Sequence, residues 1–238
     1  MRHKFLDTHL GITEQNISYY NGIAGQYDCM VNKNSDKAVR QKVADKFSDM
    51  VRNTTILDFG GGTGLDLIWL SGNNNKIFFC EPSKAMREIA ISNYKKQARA
   101  KVIFLDGCAV DFRKWHLKLP FDEKVDAVLS NFAVLNCIQD IKLLFQNLAL
   151  VVKPGGNMIA LVLTKSFKKI LKGNLRYIFT SFIRHKPVSI NVGYKEYQQT
   201  VYIYSINEII KASENYFILC NRERIAGCDF TLIHLKRK

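Results

Sequence analysis

The sequence predicts an open α/β fold, with short parallel strands alternating with helices. Three observations carry this. The stretch Thr55–Leu70, TILDFGGGTGLDLIWL, reads as a strand, a glycine turn and a helix start. A second strand-like run, Lys76–Cys80, follows it and ends at Glu81. Further short apolar runs at 101–105, 125–129 and 157–163 are separated by segments of helical periodicity, the pattern of a sheet covered by helices.

The first turn holds Gly60, Gly61, Gly62 and Gly64 directly after Asp58. Glycines admit positive φ and let a ligand approach the backbone closely. Backbone N–H groups at the start of the next helix would then face that ligand. The acid Glu81, about 20 residues beyond the turn, suits the two hydroxyls of a ribose. A glycine turn alone is a weak signal, and Asp58 as a simple loop cap is the plain structural alternative.

Asp58-Phe59-Gly60-Gly61-Gly62-Thr63-Gly64 resembles the first motif of the class I S-adenosylmethionine (SAM) methyltransferases, an acid, any residue, then G-x-G-x-G. NAD-binding folds use G-x-G-x-x-G, and Leu65 stands where their last glycine would fall. SAM carries an ammonium and a sulfonium, which Asp58 would not repel. The resemblance is to the small-molecule type found in ubiquinone and menaquinone biosynthesis, and covers roughly 17–31 and 55–163. It implies a Rossmann-like, seven-stranded, mostly parallel sheet with helices on both faces. Its last strand is antiparallel, placing the final two strands at 217–225 and 228–235. It implies SAM as cofactor and S-adenosylhomocysteine (SAH) as product.

Carried onto this chain, the cofactor residues are Tyr20, Tyr27, Asp58, Gly60, Gly62, Glu81, Pro82, Met86, Asp106, Cys108, Asn131 and Phe132. Tyr19, Tyr20, Tyr27 and Asp28 stand in an entry segment that lies over the cofactor in relatives. A tyrosine face near a sulfonium gains cation–π energy; capping the core is the alternative. Pro82 and Ser83 open a helix whose inward face includes Met86, either under an adenine or simply in the core. After the third strand, relatives carry an acid where this chain has Cys108, and a thiol is a poor acceptor. Asp106 or a backbone carbonyl would then receive the adenine amino group. Asn131 and Phe132 end the fourth strand, where open α/β sheets bind ligands. The sequence Asn131-Phe132-Ala133-Val134 lacks the prolines of adenine and glutamine N-methyltransferases, which argues against those acceptors.

The remaining elements follow in order. Residues 36–52 show helical spacing, as do 140–150, and Pro154-Gly155-Gly156 ends the latter in a reversal before strand five. Ser205 caps a helix over 204–211. One domain spans 1–238, with N-terminal cap helices over 1–52 and a substrate-side insert over 165–203. In that insert Phe167, Ile170, Leu171, Leu175, Ile178, Phe179, Phe182 and Ile183 form an apolar stripe beside Lys168, Lys169, Lys172 and Arg176. Such a segment packs as a lid on the core, roofs an apolar substrate, or lies on an anionic membrane. Residues 188–204 read as a tyrosine-rich hairpin over the acceptor.

The 238 residues are 47% hydrophobic and 24% charged, the composition of an ordinary globule. No run is long enough to span a bilayer, and no signal peptide is visible, so a cytoplasmic enzyme is expected. Six scattered cysteines and five scattered histidines form no metal motif, and the thiols read as reduced. Of the net charge of +14, +10 falls in 153–238, and 153–186 contains no acid. That asymmetry supports an anionic partner, or only a solvated face. The expected activity is methyl transfer to a small molecule. A nucleic-acid methyltransferase using the basic C-terminal third is the rival, and a non-enzymatic binding protein the third reading. No general base is assigned; His116, His185, Tyr194 and Tyr197 are the polar candidates, and the oligomeric state is not legible.

Overall fold

A computed structural model describes residues 2–72, 74–95, 101–164 and 188–238, with side chains from Gly11 onward. Nine strands are described, β1 Thr55–Phe59, β2 Lys76–Cys80, β3 Lys101–Phe104, β4 Val125–Ser130, β5 Val152–Leu163, β6 Val188–Tyr194, β7 Tyr197–Ile203, β8 Phe217–Arg224 and β9 Phe230–Arg237. The helices are α1 Arg2–Val31, α2 Asn34–Ser48, α3 Leu67–Leu70, α4 Lys84–Lys95, α5 Ile141–Val151 and α6 Ile206–Ser213.

Seven strands form one sheet in the order β3-β2-β1-β4-β5-β9-β8. The first five are mutually parallel, and β9 runs antiparallel between β5 and β8. Strand order reverses beside β1, so the exits of β1 and β4 flank the crevice where such sheets bind ligands. The expected Rossmann-like sheet with an antiparallel last strand is the one observed.

Alternation of side chains along each strand feeds two cores. One face sends Leu57, Phe59, Phe78 and Val128 towards Leu144, Phe145 and Leu148 of α5. The other sends Ile56, Ile77, Phe79 and Leu129 towards Val43 and Phe47 of α2. Both sets are almost completely removed from water. That burial supplies the main drive for the fold. Ser205 caps α6 as expected, accepting from Glu208 N–H while Glu208 receives the Ser205 N–H.

Helix α1 runs unbroken over Arg2–Val31, held by its buried Tyr19, Ile23 and Ala24 as well as by polar side chains. Three expectations need correction. The helix expected from Leu65 is the single turn α3, because tight bonds from Gly64 N–H to Gly61 O and from Leu67 N–H to Gly64 O hold its start in turns. The β1 loop therefore faces a ligand with its own amides, not with a helix start. Strand β5 begins at Val152, not 157. Residues 153–156 are absorbed where the partner of Val125 is Val152 but that of Ala127 is Asn157, with Gly155 at φ +77°. The hairpin is present as β6 and β7, whereas the amphipathic part of the insert, 165–187, lies outside the described residues. Among the described residues no helix is long and apolar enough to cross a membrane.

Candidate cofactor and acceptor site

The glycine turn is tied to β2. The Gly60 and Gly61 amides both donate to the Cys80 carbonyl, at 2.8 and 3.3 Å. Gly60 has φ +78°, and a Cβ there would lie 2.4 Å from the Val134 side chain. At Gly61 a Cβ would lie 2.2 Å from the Phe79 ring and 2.7 Å from the Asp58 carboxylate. Gly62, at φ +59°, faces open space with the Tyr27 ring 3.7 Å away. The first two glycines are therefore demanded by packing, and the third by conformation.

Glu81 closes the loop. One carboxylate oxygen accepts from Gly62 N–H at 3.0 Å, and the other from Ser83 N–H at 2.7 Å. The side chain is 7% exposed. Burial pushes its carboxyl up to about 7, although both backbone bonds and Arg87 draw it down. Asp58 is 1% exposed. Its Oδ2 is buried without a hydrogen-bond partner. Burial raises its carboxyl well above the usual range, and Asp66 and Glu81 add to this by repulsion. A buried, orphaned acid beside a glycine cradle fits a ligand that brings a positive charge and a hydrogen-bond donor.

Helix α1 lies across this loop and is fastened at its length. Asp28 accepts from the Thr63 hydroxyl at 2.5 Å. Asn21 accepts from the Ser83 hydroxyl at 2.7 Å and from Ala85 N–H at 3.1 Å, capping α4. Asn16 reaches the hairpin, donating to Thr200 O and accepting from Thr200 N–H, at 3.0 and 2.8 Å. Tyr20 and Tyr27 stand two turns apart on one face of α1, with ring centres 6.2 Å apart. The Tyr20 hydroxyl lies 3.4 Å from Cys137 Sγ. Burial raises the Cys137 thiol to about 11, so it stays protonated.

The remaining predicted residues divide. Met86 is 1% exposed and packs with Tyr19, Ile23 and Ala24. It lies in the small core between α1 and α4. Pro82, Asp106 and Cys108 are exposed at the exits of β2 and β3, and Gly107 between the latter two has φ +51°. Both Asp106 and Cys108 are thus open to an adenine. Of the candidate bases, His116 is exposed, Tyr194 donates to Gln26, and the Tyr197 ring packs against Gly22. His185 lies outside the described residues.

Asn131 and Phe132 are already engaged. The Asn131 amide donates to Asp66 at 3.0 Å, and its oxygen accepts from Phe132 N–H at 3.0 Å. Asp66 also accepts from Arg40 at 2.6 Å and from the Trp69 indole at 3.0 Å. Sequence reasoning did not select Arg40 or Asp66. The signal for Asp66 was present, as an acid inside the apolar stretch Leu65–Leu70. Arg40 sits among other charged residues on α2 and carried none.

A doubly wound sheet with a glycine turn and two acids at adjacent strand ends defines a nucleotide-type cofactor site. The comparisons narrow it. Residues 56–156 match the family model described as "Methyltransferase domain". The demethylmenaquinone methyltransferase of Lactococcus lactis is 26% identical over 186 residues, 75% of this chain and 70% of that protein. Among solved structures, the DhpI–SAH complex superposes with a TM-score of 0.69 at 17% identity, covering 95% of this chain and 97% of that one. The N-methyltransferase NodS from Bradyrhizobium japonicum, bound to SAH, gives 0.65 at 10% identity, covering 95% and 98%. These structural likenesses show the fold. With the sequence match and the acid–glycine loop, residues 56–156 form a SAM-dependent methyltransferase domain.

Proposed function

We propose that this enzyme methylates a small, neutral, ring-bearing acceptor held beneath α1 and the β6–β7 hairpin. The observation that carries the proposal is the roof itself. It places the partly exposed Tyr20 and Tyr27 and the neutral Cys137 thiol near the Glu81–Gly62 pair. Such walls favour an aromatic or quinol ring over a phosphate backbone. The likeness to a menaquinone-type methyltransferase supports the same class of acceptor. The concentration of positive charge in 153–238 supports an anionic partner, but no nucleic-acid recognition motif accompanies it.

The chain's residues supply binding and alignment. Glu81 would take the ribose hydroxyls, Asp58 the ammonium, Gly60 and Gly62 the close approach, and Asp106 or Cys108 the adenine edge. Tyr20 and Tyr27 would face the sulfonium, while Asn131 and Phe132 border the methionyl end. A bound SAM would supply a methyl already activated by positive sulfur, and the acceptor would release a proton if it carried one at the methylated atom. Holding acceptor and methyl in line beneath a dry roof is the protein's share. Six unpaired thiols fit a reducing compartment, and we place the enzyme in the cytoplasm.

Calorimetric titration with SAM, SAH and NAD is the direct test, followed by methyl transfer to a reduced short-chain prenylated naphthoquinone and to bulk tRNA. Binding of both SAM species but not NAD, with label entering the naphthoquinol, is expected. Label in tRNA alone would replace the small-molecule reading.

The raised Glu81 carboxyl predicts a pH dependence. Ribose hydroxyls donate to the ionised form, so binding favours loss of the proton. SAM affinity should rise with pH through about 7 and level off above it, which titrations at about pH 6 and about pH 8 would show. Without ligand the sign for stability is opposite. Between the usual carboxyl value of 4.5 and about 7 the folded chain keeps a proton that the unfolded chain has lost, so stability falls as pH rises through that window.

A further inference from the structure

We infer that Arg40 and Asp66 form a positioning pair that holds the β4 exit turn in its strained shape, and so sets the geometry of the acceptor side. This deepens, and rests on, the methyl-transfer reading of the site.

The turn is unusual. Phe132 and Ala133 both lie in the left-handed region, at φ 49° and 65°. Neither is glycine, and a bulky residue in that region is an outlier that its surroundings must enforce. Local bonds supply part of this, since Ala133 N–H donates to Leu161 O at 2.9 Å and Phe132 N–H to its neighbour's side chain. The rest comes from outside the turn. The Arg40 guanidinium lies over the Phe132 ring, 4.4 Å from its centre. The same guanidinium bonds Asp66 at 2.6 Å. Asp66 then fixes the Asn131 amide with its second oxygen. One cation on α2 thus grips the turn twice, directly at Phe132 and through Asp66 at Asn131.

The chemistry suits arginine in particular. Asp66 is buried at the site with Asp58 and Glu81 close enough to interact electrostatically. Arg40 is its ion-pair partner, and a charge left buried without one is costly. A guanidinium offers a flat face to an aromatic ring and an edge to a carboxylate at once, which an ammonium does not. Arg40→Lys therefore keeps the charge while losing the stack, and Asp66→Asn keeps the shape while losing the charge.

Both variants, with the wild type, are to be compared by hydrogen exchange of the peptide spanning 131–133, by calorimetry with SAM, and by turnover of the prenylated naphthoquinol. In Arg40→Lys, exchange at the turn should rise about tenfold, with the thermal midpoint nearly unchanged. Its kcat should fall about tenfold, with a smaller loss of SAM affinity because Asn131 and Phe132 also border the methionyl end. Asp66→Asn should loosen the same peptide. Unchanged exchange in both variants overturns the inference. So does loss of SAM affinity with exchange and kcat unchanged, which would make Arg40 a direct cofactor ligand instead. A wild type that neither binds SAM nor turns over would be a failure of the proposed function, and the exchange measurement would still decide the role of Arg40.

Discussion

Glu81→Ala is expected to weaken SAM binding by roughly 30- to 1,000-fold, about 2–4 kcal/mol, while the protein stays folded. The size follows from what the carboxylate does. Hydrogen bonds to a charged group are worth more than neutral ones, and a ribose offers two donors. The same carboxylate shapes the loop through Gly62 N–H and the start of α4 through Ser83 N–H. Alanine would leave both amides without their acceptor. Glu81→Gln separates the two effects. Its carbonyl still accepts one bond, but its NH2 opposes the other amide, so an intermediate loss is expected. Calorimetry on both variants, with circular dichroism to verify folding, is the check; wild-type affinity in a folded Glu81→Ala variant would remove Glu81 from the site.

The second large effect belongs to Gly61. Its φ is not in the left-handed region, so conformation alone would tolerate alanine. Space would not. The added methyl meets the fully buried Phe79 ring on one side and the Asp58 carboxylate on the other. Neither can retreat, because the fully buried Phe79 ring already packs against Phe104 and Asp58 is buried on β1. Overpacking of this kind costs about 2–3 kcal/mol, a fall in melting midpoint of roughly 5–10 °C for a chain of this size. SAM binding should suffer as well, since Asp58 belongs to the proposed site. Gly62→Ala is the control. It meets open space and carries only the left-handed penalty, about 1 kcal/mol. A thermal scan should therefore rank Gly61→Ala well below Gly62→Ala, although the resemblance to known motifs singled out Gly62 and not Gly61.

That inversion shows where sequence reasoning reaches its limit here. The alternation of strands and helices was readable because apolar periodicity reports burial directly, and Ile56-Leu57 and Ile77-Phe78-Phe79 are buried as their pattern implies. The placing of Asp58 and Glu81 beside the glycine turn was readable because both stand at the exits of adjacent parallel strands. Other features were not. The early start of β5 depended on a bulge, and Pro154-Gly155-Gly156 has the composition of a turn whether or not it stays in the sheet. The anchoring of α1 by Asn16, Asn21 and Asp28 depended on partners far along the chain, and such pairings leave no periodic trace. The Arg40–Asp66 pair belongs with these: Asp66 stood out as an acid in an apolar stretch, but its partner 26 residues away did not.

The bonds from Asn16 to Thr200 join positions 184 residues apart. Contacts of such separation are slow to form, because the intervening chain must be brought together before they reward it. The β1 loop, its glycines and both acids lie within the first 81 residues and can assemble early in synthesis. So can the α1 anchors from Asp28 to Thr63 and from Asn21 to Ser83. The hairpin half of the roof cannot: Asn16 waits until β6 and β7 have emerged from the ribosome, so the half-made enzyme leaves that end of α1 uncovered. Closure on the acceptor side therefore reports that the chain has been made through its hairpin.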